Sequence, residues 1–548
     1  MAFTIADLIE HTVDLVPERT AVVSADSGRE ITFAELEERA NRLAHFLADR
    51  GVGPGDKVAV YSRNNIESVE AVLAIFKLRA VSVNVNYRYV GKELAYLFDN
   101  SDSVAVVFER RYARLVEQSM AECANLETAI VIEDGTDEET ASFGAVDYVD
   151  ALAQGSPDRD FPPRSNDDHF MIYTGGTTGM PKGVVWRQED VWRVLGGGIN
   201  FMTGERVPDE FELAKTGAAN PSMTRYPIPP MIHGATFWAA MQSLFTGGKV
   251  VMAAEFDPVR TWKIIDEHKV NVVLLVGDAM ARPMIDVHTS EYDTSVLYAV
   301  ASSAALFSPS VKEQYLDRFP NTMFTDSIGS SETGFAGVGI VSKGSADDGG
   351  PRVKIDGANS VLDENGKAVE PGSPTVGRLA RRGHIPLGYY KDEAKTKATF
   401  VEYDGVRYAI PGDYARIDAD GTVIMLGRGS VSINTGGEKV FPEEVEGAVK
   451  AHPGVMDCIV VGVPDETYGQ RVAAVVQPRP GAEIDLAGIV SVAREHIAGY
   501  KVPRSLWTVD RIERSPSGKP DYRWATGVTE STPAQEHLAS ASTSAVKG

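Results

Sequence analysis

The chain has 548 residues, of which 77 are acidic and 54 basic, giving a formal charge of -23, and 43% of its side chains are hydrophobic. That length is too great for one hydrophobic core, so several structural units are expected, and the composition argues against wholesale disorder or collagen-like repetition. The acidic excess repels nucleic-acid backbones and anionic lipid, and no apolar run reaches the roughly 18 residues that a membrane span needs.

Cys123 and Cys458 are too few for a disulfide framework and lack the spacing of a zinc or redox motif, while the N-terminal stretch is acidic and has no basic n-region. The expectation is a cytoplasmic protein with no nucleic-acid partner and no stable membrane insertion.

Along the chain, Thr32 to Glu35 form a capping box ahead of Leu36, Ala40, Leu43, Ala44 and Leu47, which recur at helical spacing. Gly51 to Gly55 stop that helix. A buried strand at 57–61, a helix over 65–79 and a strand at 81–85 follow, the βαβ rhythm of a parallel sheet. The alternation returns at 270–276 and 297–301, which predicts two wound layers. Residues 133–168, rich in Asp, Glu, Gly, Ser and Pro, read as a solvated connector. Beyond Gly427, strands at 457–463 and 471–476 and a helix over 485–498 predict a small α+β domain, and from Ala525 a polar tail is expected to fray.

The strongest chemical signal follows the connector: Thr174, Gly175, Gly176, Thr177, Thr178, Gly179 and Lys182, after the apolar run Phe170 to Tyr173. Glycines permit tight turns that leave amide N–H groups and threonine hydroxyls free to surround a polyphosphate, with Lys182 adding charge. Met180 and Pro181 stand before the lysine and Gly183 after it, so the string is not a P-loop. A flexible Gly/Thr loop is the plainer alternative. The full string resembles the phosphate loop of the adenylate-forming superfamily, which comprises acyl-CoA synthetases, beetle luciferases and nonribosomal adenylation domains. The rest of that family's pattern follows in order over residues 5–525.

The resemblance implies roles residue by residue. Pro229 to Thr236 is similar to the family segment at the mouth of the acyl pocket, so His233 would gate or shape the carboxylate site, although an isolated histidine is more often structural. Asp326 to Gly334 is similar to the strand-end loop that faces the nucleotide: Asp326 and Ser331 would bind it, Ser331 at the α-phosphate or substrate carboxylate, and Glu332 would hold Mg²⁺. Many relatives carry an aromatic where this chain has Ile328, which leaves the adenine-stacking residue open. Ala301 to Leu306 looks like the adenine-contacting turn, commonly Gly-rich, with Ser303 and Ala304 as nucleotide contacts. Asp413 would bind both ribose hydroxyls. Arg428 would reach ribose or phosphate oxygens, and Lys439 a phosphate. Ser430 marks the hinge by register, where the family usually has Asp or Lys, and Gly436 and Gly437 would lie along the pantetheine arm of CoA. Lys519 would bridge the attacking carboxylate and the α-phosphate as negative charge accumulates.

The architecture so implied is α/β: a large N-terminal domain over 1–428, with wound α/β layers and a distorted β-barrel subdomain, a small mobile α+β domain over 429–525, and a tail at 526–548. The implied activity is that of an ATP-dependent acyl-CoA ligase using ATP and Mg²⁺, with CoA as co-substrate. Its partners are a small carboxylic acid and CoA, and homo-oligomerisation stays open. The strings at 427–439 and 326–333 together with the segment 204–225 resemble actinobacterial ligases acting on branched steroid side-chain acids. Small residues such as Gly277, Ala279, Ala301 and Gly329 leave space for a bulky acyl group, though they also serve tight packing. Medium- or long-chain fatty acids, or a carrier protein loaded by a standalone adenylation enzyme, are the alternatives. A catalytically silent nucleotide-binding protein would tolerate loss of Lys519 or Glu332, and both are present.

Overall fold

A computed structural model describes residues 3–174, 180–200, 204–305, 307–342, 351–435, 438–465, 468–515 and 518–537. Three helices open the chain, Ile5–Leu15, Phe33–Asp49 and Ile66–Lys77, capped by Thr4, Thr32 and Asn65; the capping box of Thr32 and Glu35 is formed as its sequence predicts. Leu36, Ala40, Leu43, Ala44 and Leu47 are fully buried, each leucine removing enough apolar surface from water to stabilise by roughly 2 kcal/mol. The three helices are tied together by Lys77, itself buried, which donates to Glu10 at 2.6 Å and to Glu37 at 2.8 Å.

Those helices lie against two large sheets. A five-stranded parallel sheet runs in the order Val81–Asn84, Lys57–Tyr61, Ser103–Glu109, Thr128–Ile132, Val146–Asp147. A fifteen-stranded sheet has a parallel centre, Thr20–Ser24, Lys249–Met252, Thr224–Pro227, Val272–Leu275, Ala299–Ser302 and Met323–Ser330. It continues antiparallel through Gly334–Val341 and Arg352–Ile355 into the strands between Asn359 and Arg428. The two wound layers are therefore present. Among the described residues, the strands expected as a distorted barrel extend this sheet without closing into a ring.

Between the layers sits a hairpin, His169–Thr174 and Lys182–Arg187, with Gly388–Tyr389 on its open edge. Asn84 fixes its position by accepting from the Tyr173 amide at 2.7 Å and donating to the carbonyls of Tyr173 at 2.9 Å and Ile232 at 2.7 Å. One side chain thus ties the strand leading into the expected phosphate loop to the segment carrying His233.

The C-terminal unit is a six-stranded sheet built on Val455–Asp465 and Gly469–Pro478. The helices Pro442–Lys450 and Leu486–Ala493 cover one face, and Tyr522–Ser531 packs on the other.

Two expectations need correction. Residues 133–168 are not only connector, because Val146–Asp147 joins the parallel sheet and the helix Tyr148–Gln154 buries Tyr148, Ala151 and Leu152, with Tyr148 Oη donating to Glu70 at 2.8 Å. The tail does not start at 526: Asp521 caps the helix Tyr522–Ser531, the Trp507 indole donates to the Thr532 carbonyl at 2.9 Å, and Glu536–His537 pairs with Ser505–Thr508. In both places a few apolar side chains among many polar ones suffice, because backbone pairing and a neighbouring sheet supply the rest.

Candidate active site

A cavity of about 650 Å³ opens where the C-terminal unit meets the large lobe. His233, Ser303, Ala304, Ser331, Thr174 and Lys519 all line it, so residues spread over most of the chain converge on one space. Its apolar wall is made by Trp186, Val191, Leu195, Trp238 and Phe335.

Lys519 enters from the small lobe on a tight turn in which its amide donates to Ser515 Oγ at 3.1 Å and the Ser515 amide donates to its carbonyl at 2.9 Å. The turn can approach the large lobe because residue 518 is glycine: φ is +71° there, and a Cβ would come within 2.9 Å of Val276 and 3.2 Å of Ala279. Burial and the Arg428 charge push the Lys519 ammonium down from its ordinary range, while Glu332 and Asp413 work in the opposite direction. Lys519 therefore belongs electrostatically to a cluster with Arg428, Glu332 and Asp413.

Glu332 is fixed from several sides. Its Oε1 accepts the Tyr389 hydroxyl at 2.6 Å and its amide donates to Ser330 Oγ at 3.2 Å. Burial and this carboxylate push the Tyr389 phenol well above its usual range, so the hydroxyl stays a donor. Asp413 and Arg428 face each other across an antiparallel pair, Arg428 Nε donating to Asp413 Oδ1 at 3.1 Å. Ser331 is held by its backbone, whose carbonyl accepts the Trp186 indole N–H at 2.9 Å.

Among the described residues, the buried polar atoms of cavity-lining side chains without a hydrogen-bond partner include His233 Nε2 and Ser303 Oγ, along with Trp238 Nε1 and Tyr522 Oη. Burial, with the charges of Lys519 and Arg88, pushes His233 down to about 3, so its ring is neutral at physiological pH. Orphaned buried donors and acceptors are rare in native proteins, and at a cavity they mark where a polar ligand completes the set. Ala304 adds backbone evidence. Its φ of +67° is the left-handed conformation that glycine favours, which accounts for Gly-rich versions of this turn.

Other expected residues lie elsewhere. Asp326 points away from the cavity and is ion-paired with Lys312 behind the strand Met323–Ser330. Lys182 pairs with Asp392, and Lys439 stacks 5.0 Å over the Tyr414 ring. Gly175, Gly176, Thr177, Thr178, Gly179, Gly436 and Gly437 fall outside the described residues. Ser430 lies in a short 3-10 turn, Gly429–Val431, at the junction between the lobes. Of the small residues singled out for acyl space, Gly329 lines the cavity, but a Cβ there would meet the Gly334 carbonyl oxygen at 2.2 Å; strand packing, not acyl volume, demands that glycine. Sequence reasoning missed Tyr389 and Asn84, which orient site groups from segments with no recognisable motif.

The lobes are held together by charge. Lys450, 2% exposed, lies 3.7 Å from Asp278 of the large lobe and 3.3 Å from Asp457 of its own, and Arg479 reaches Asp286 at 3.1 Å. Removing one member of a buried pair leaves the other uncompensated, at a cost of about 3–5 kcal/mol. Lys450→Met is accordingly expected to slow acid-dependent pyrophosphate exchange by about tenfold or more, while thioester formation from supplied acyl-adenylate changes by less. Measuring the half-reactions separately checks this; an equal loss in both would reduce Lys450 to a folding element of the small lobe.

Residues 9–390 match the AMP-binding enzyme family and residues 444–519 match the AMP-binding enzyme C-terminal domain. The chain belongs to the AMP-binding enzyme family. Within it, the protein is an AMP-forming acyl-CoA ligase, a class that uses ATP and CoA. It is 62% identical over 543 residues to a 3-oxocholest-4-en-26-oate–CoA ligase of Rhodococcus rhodochrous, covering 98% of each chain. It is 58% identical over 542 residues to a medium/long-chain-fatty-acid–CoA/3-oxocholest-4-en-26-oate–CoA ligase of Mycolicibacterium smegmatis, again covering 98% of each. The fold matches an anthranilate CoA ligase solved with anthranoyl-AMP, at TM-score 0.83 and 21% identity over 96% of this chain and 98% of that one. The ligase thus shares the large-lobe, small-lobe architecture of adenylate-forming enzymes.

Proposed function

We propose that this ligase activates the side-chain carboxylate of a 3-oxo-steroid acid, and that the cavity lined by Lys519, His233 and Ser331 is where it does so. The observation carrying the proposal is the continuity of those polar groups with the apolar wall of Trp186, Val191, Leu195, Trp238 and Phe335. A carboxylate does not acylate a thiol at neutral pH, because its leaving group would be oxide. Attack on the α-phosphorus of ATP exchanges that leaving group for AMP. Lys519 approaches the reacting oxygens from the small lobe and offsets the charge that gathers there, in a site already shaped before reaction begins. His233, neutral and unpartnered at Nε2, and Ser331 hold the acid, Ser303 and Ala304 border the adenine, and Asp413 with Arg428 takes the ribose. The Thr174 to Lys182 segment takes the departing pyrophosphate.

Mg²⁺ fits the donor set through Glu332. Among the described residues no group of three or more His, Cys, Asp or Glu would build an all-protein site, so the metal would be shared between this carboxylate and the phosphates of ATP. When bound it supplies neutralisation of triphosphate charge. Rotation of the unit beyond residue 428 about Ser430 would then withdraw Lys519 and bring the Gly436 and Gly437 loop to the acyl carbon. Cys123 and Cys458 are buried and unpaired, which fits a reducing cytoplasm.

The name of the Mycolicibacterium smegmatis relative gives medium- and long-chain fatty acids as a second reading of the same pocket. A panel from acetate through palmitate to 3-oxocholest-4-en-26-oate, each assayed for acid-dependent pyrophosphate exchange and for CoA thioester, tests the proposal. The expected product is the steroid thioester. Thioesters from fatty acids alone would replace the steroid reading with the second one, and no exchange with any acid would end both.

A further inference from the structure

Behind the apolar wall of the cavity, one hydrogen-bonded side chain away from the wall residue Leu195, stands a cation that does not itself line the cavity. The helix Gly234–Phe245 follows His233, and Ala235, Ala239 and Gln242 recur on one side of it at helical spacing. These residues are exposed or half-buried, although Thr236, Phe237, Ala240, Met241, Ser243 and Leu244 around them are buried. At roughly 1.5 Å per residue, that stripe runs about 13 Å along the helix from His233 to Gln242.

Gln242 Nε2 donates to the carbonyl of Leu195, a wall residue, at 2.6 Å. Arg225 stands behind it on the central strand Thr224–Pro227, donating through Nη1 to Gln242 Oε1 at 3.1 Å and to the Ala239 carbonyl at 2.8 Å. Tyr226 points to the opposite side of the sheet, into a different core, so Arg225 faces the helix and the space along it. Among the described residues no carboxylate accompanies this guanidinium, and burial alone pushes it down to about 10. Its Nη2 and Nε have no protein hydrogen bond among the described residues, and the residue as a whole is half-buried. An interior guanidinium without a counter-charge is costly unless its donors find acceptors. The hydrocarbon end of a fatty acid provides none, whereas a ring ketone provides an oxygen with two lone pairs.

We propose that Arg225 is a specificity-determining residue that donates a hydrogen bond to an oxygen on the ring end of the steroid acid, with Gln242 positioning it. This rests on the steroid-acid reading above. The test compares kcat/KM of the full-length enzyme for 3-oxocholest-4-en-26-oate and for the same acid lacking the 3-oxygen. A site built around a hydrogen bond rejects the analogue that lacks it, so the wild type should prefer the ketone by about tenfold or more, chiefly through KM. Arg225→Met should bring the ratio close to one, and Arg225→Lys should restore part of it. A wild-type ratio near one overturns the inference without needing a variant, as does a ratio that survives Arg225→Met. Turnover of both steroid acids at equal rates would refute Arg225 alone, whereas turnover of neither, with palmitate accepted, would refute the substrate reading and Arg225 with it.

Discussion

Lys519→Met is expected to slow acyl-adenylate formation by roughly 10²–10³-fold, while thioester formation from supplied acyl-adenylate and CoA continues at close to the wild-type rate. Methionine keeps most of the stem, so the turn from Ser515 to Lys519 and the approach of Gly518 to Val276 and Ala279 are preserved. What disappears is the cation that the small lobe brings into the cavity, and with it the balance against Glu332 and Asp413. The neutral state of His233 also depends partly on this charge, so its imidazole should become easier to protonate in the variant. Pyrophosphate exchange reports the first half-reaction and thioester yield from synthetic adenylate the second. Equal losses in both would mean that Lys519 supports the lobe interface and not the reaction, and unchanged exchange would remove it from the site.

The residues legible in the sequence are those that serve a ligand in a fixed local string. His233, Ser303, Ala304, Ser331 and Lys519 were each readable from neighbours in the chain, and the fold brings them to one cavity. Asp326 was less legible because its string does not reveal which side of the strand a side chain takes, and Lys312 turns it away from the cavity. Lys182 illustrates the same difficulty, since its partner Asp392 lies more than 200 residues on. Tyr389 and Asn84 act through contacts between distant segments, and nothing in their local sequence distinguishes them from ordinary core or surface residues. The elements of the large lobe from the helix Phe33–Asp49 to the strand Val81–Asn84 followed from capping and periodicity. The helix Tyr522–Ser531 did not, because its burial is supplied by the strands Val455–Asp465 and Gly469–Pro478 and not by its own pattern.

Glu332→Gln tests the other half of the site's charge balance. The substitution is nearly isosteric and its amide oxygen can still accept from Tyr389, so the hydrogen bond at 2.6 Å need not be lost and the variant should fold. Its charge, however, acts together with that of Asp413 to raise the affinity of both Lys519 and Arg428 for their protons. Without it, Lys519 should lose its proton at lower pH than in the wild type. The first half-reaction needs Lys519 charged, so the alkaline limb of its pH–rate profile should move to lower pH in Glu332→Gln. The rate below that limb should also fall, by about 100-fold or more, because an amide is a poor substitute for a carboxylate in holding Mg²⁺ with ATP, and the magnesium concentration giving half-maximal rate should rise. Tyr389→Phe separates orientation from charge: it keeps the carboxylate and removes only the hydroxyl that fixes Oε1, so it should lower the rate without moving the alkaline limb toward acid. If Glu332→Gln leaves both the magnesium requirement and the alkaline limb where they are, Glu332 is a structural acceptor for Tyr389 and the metal must be held elsewhere.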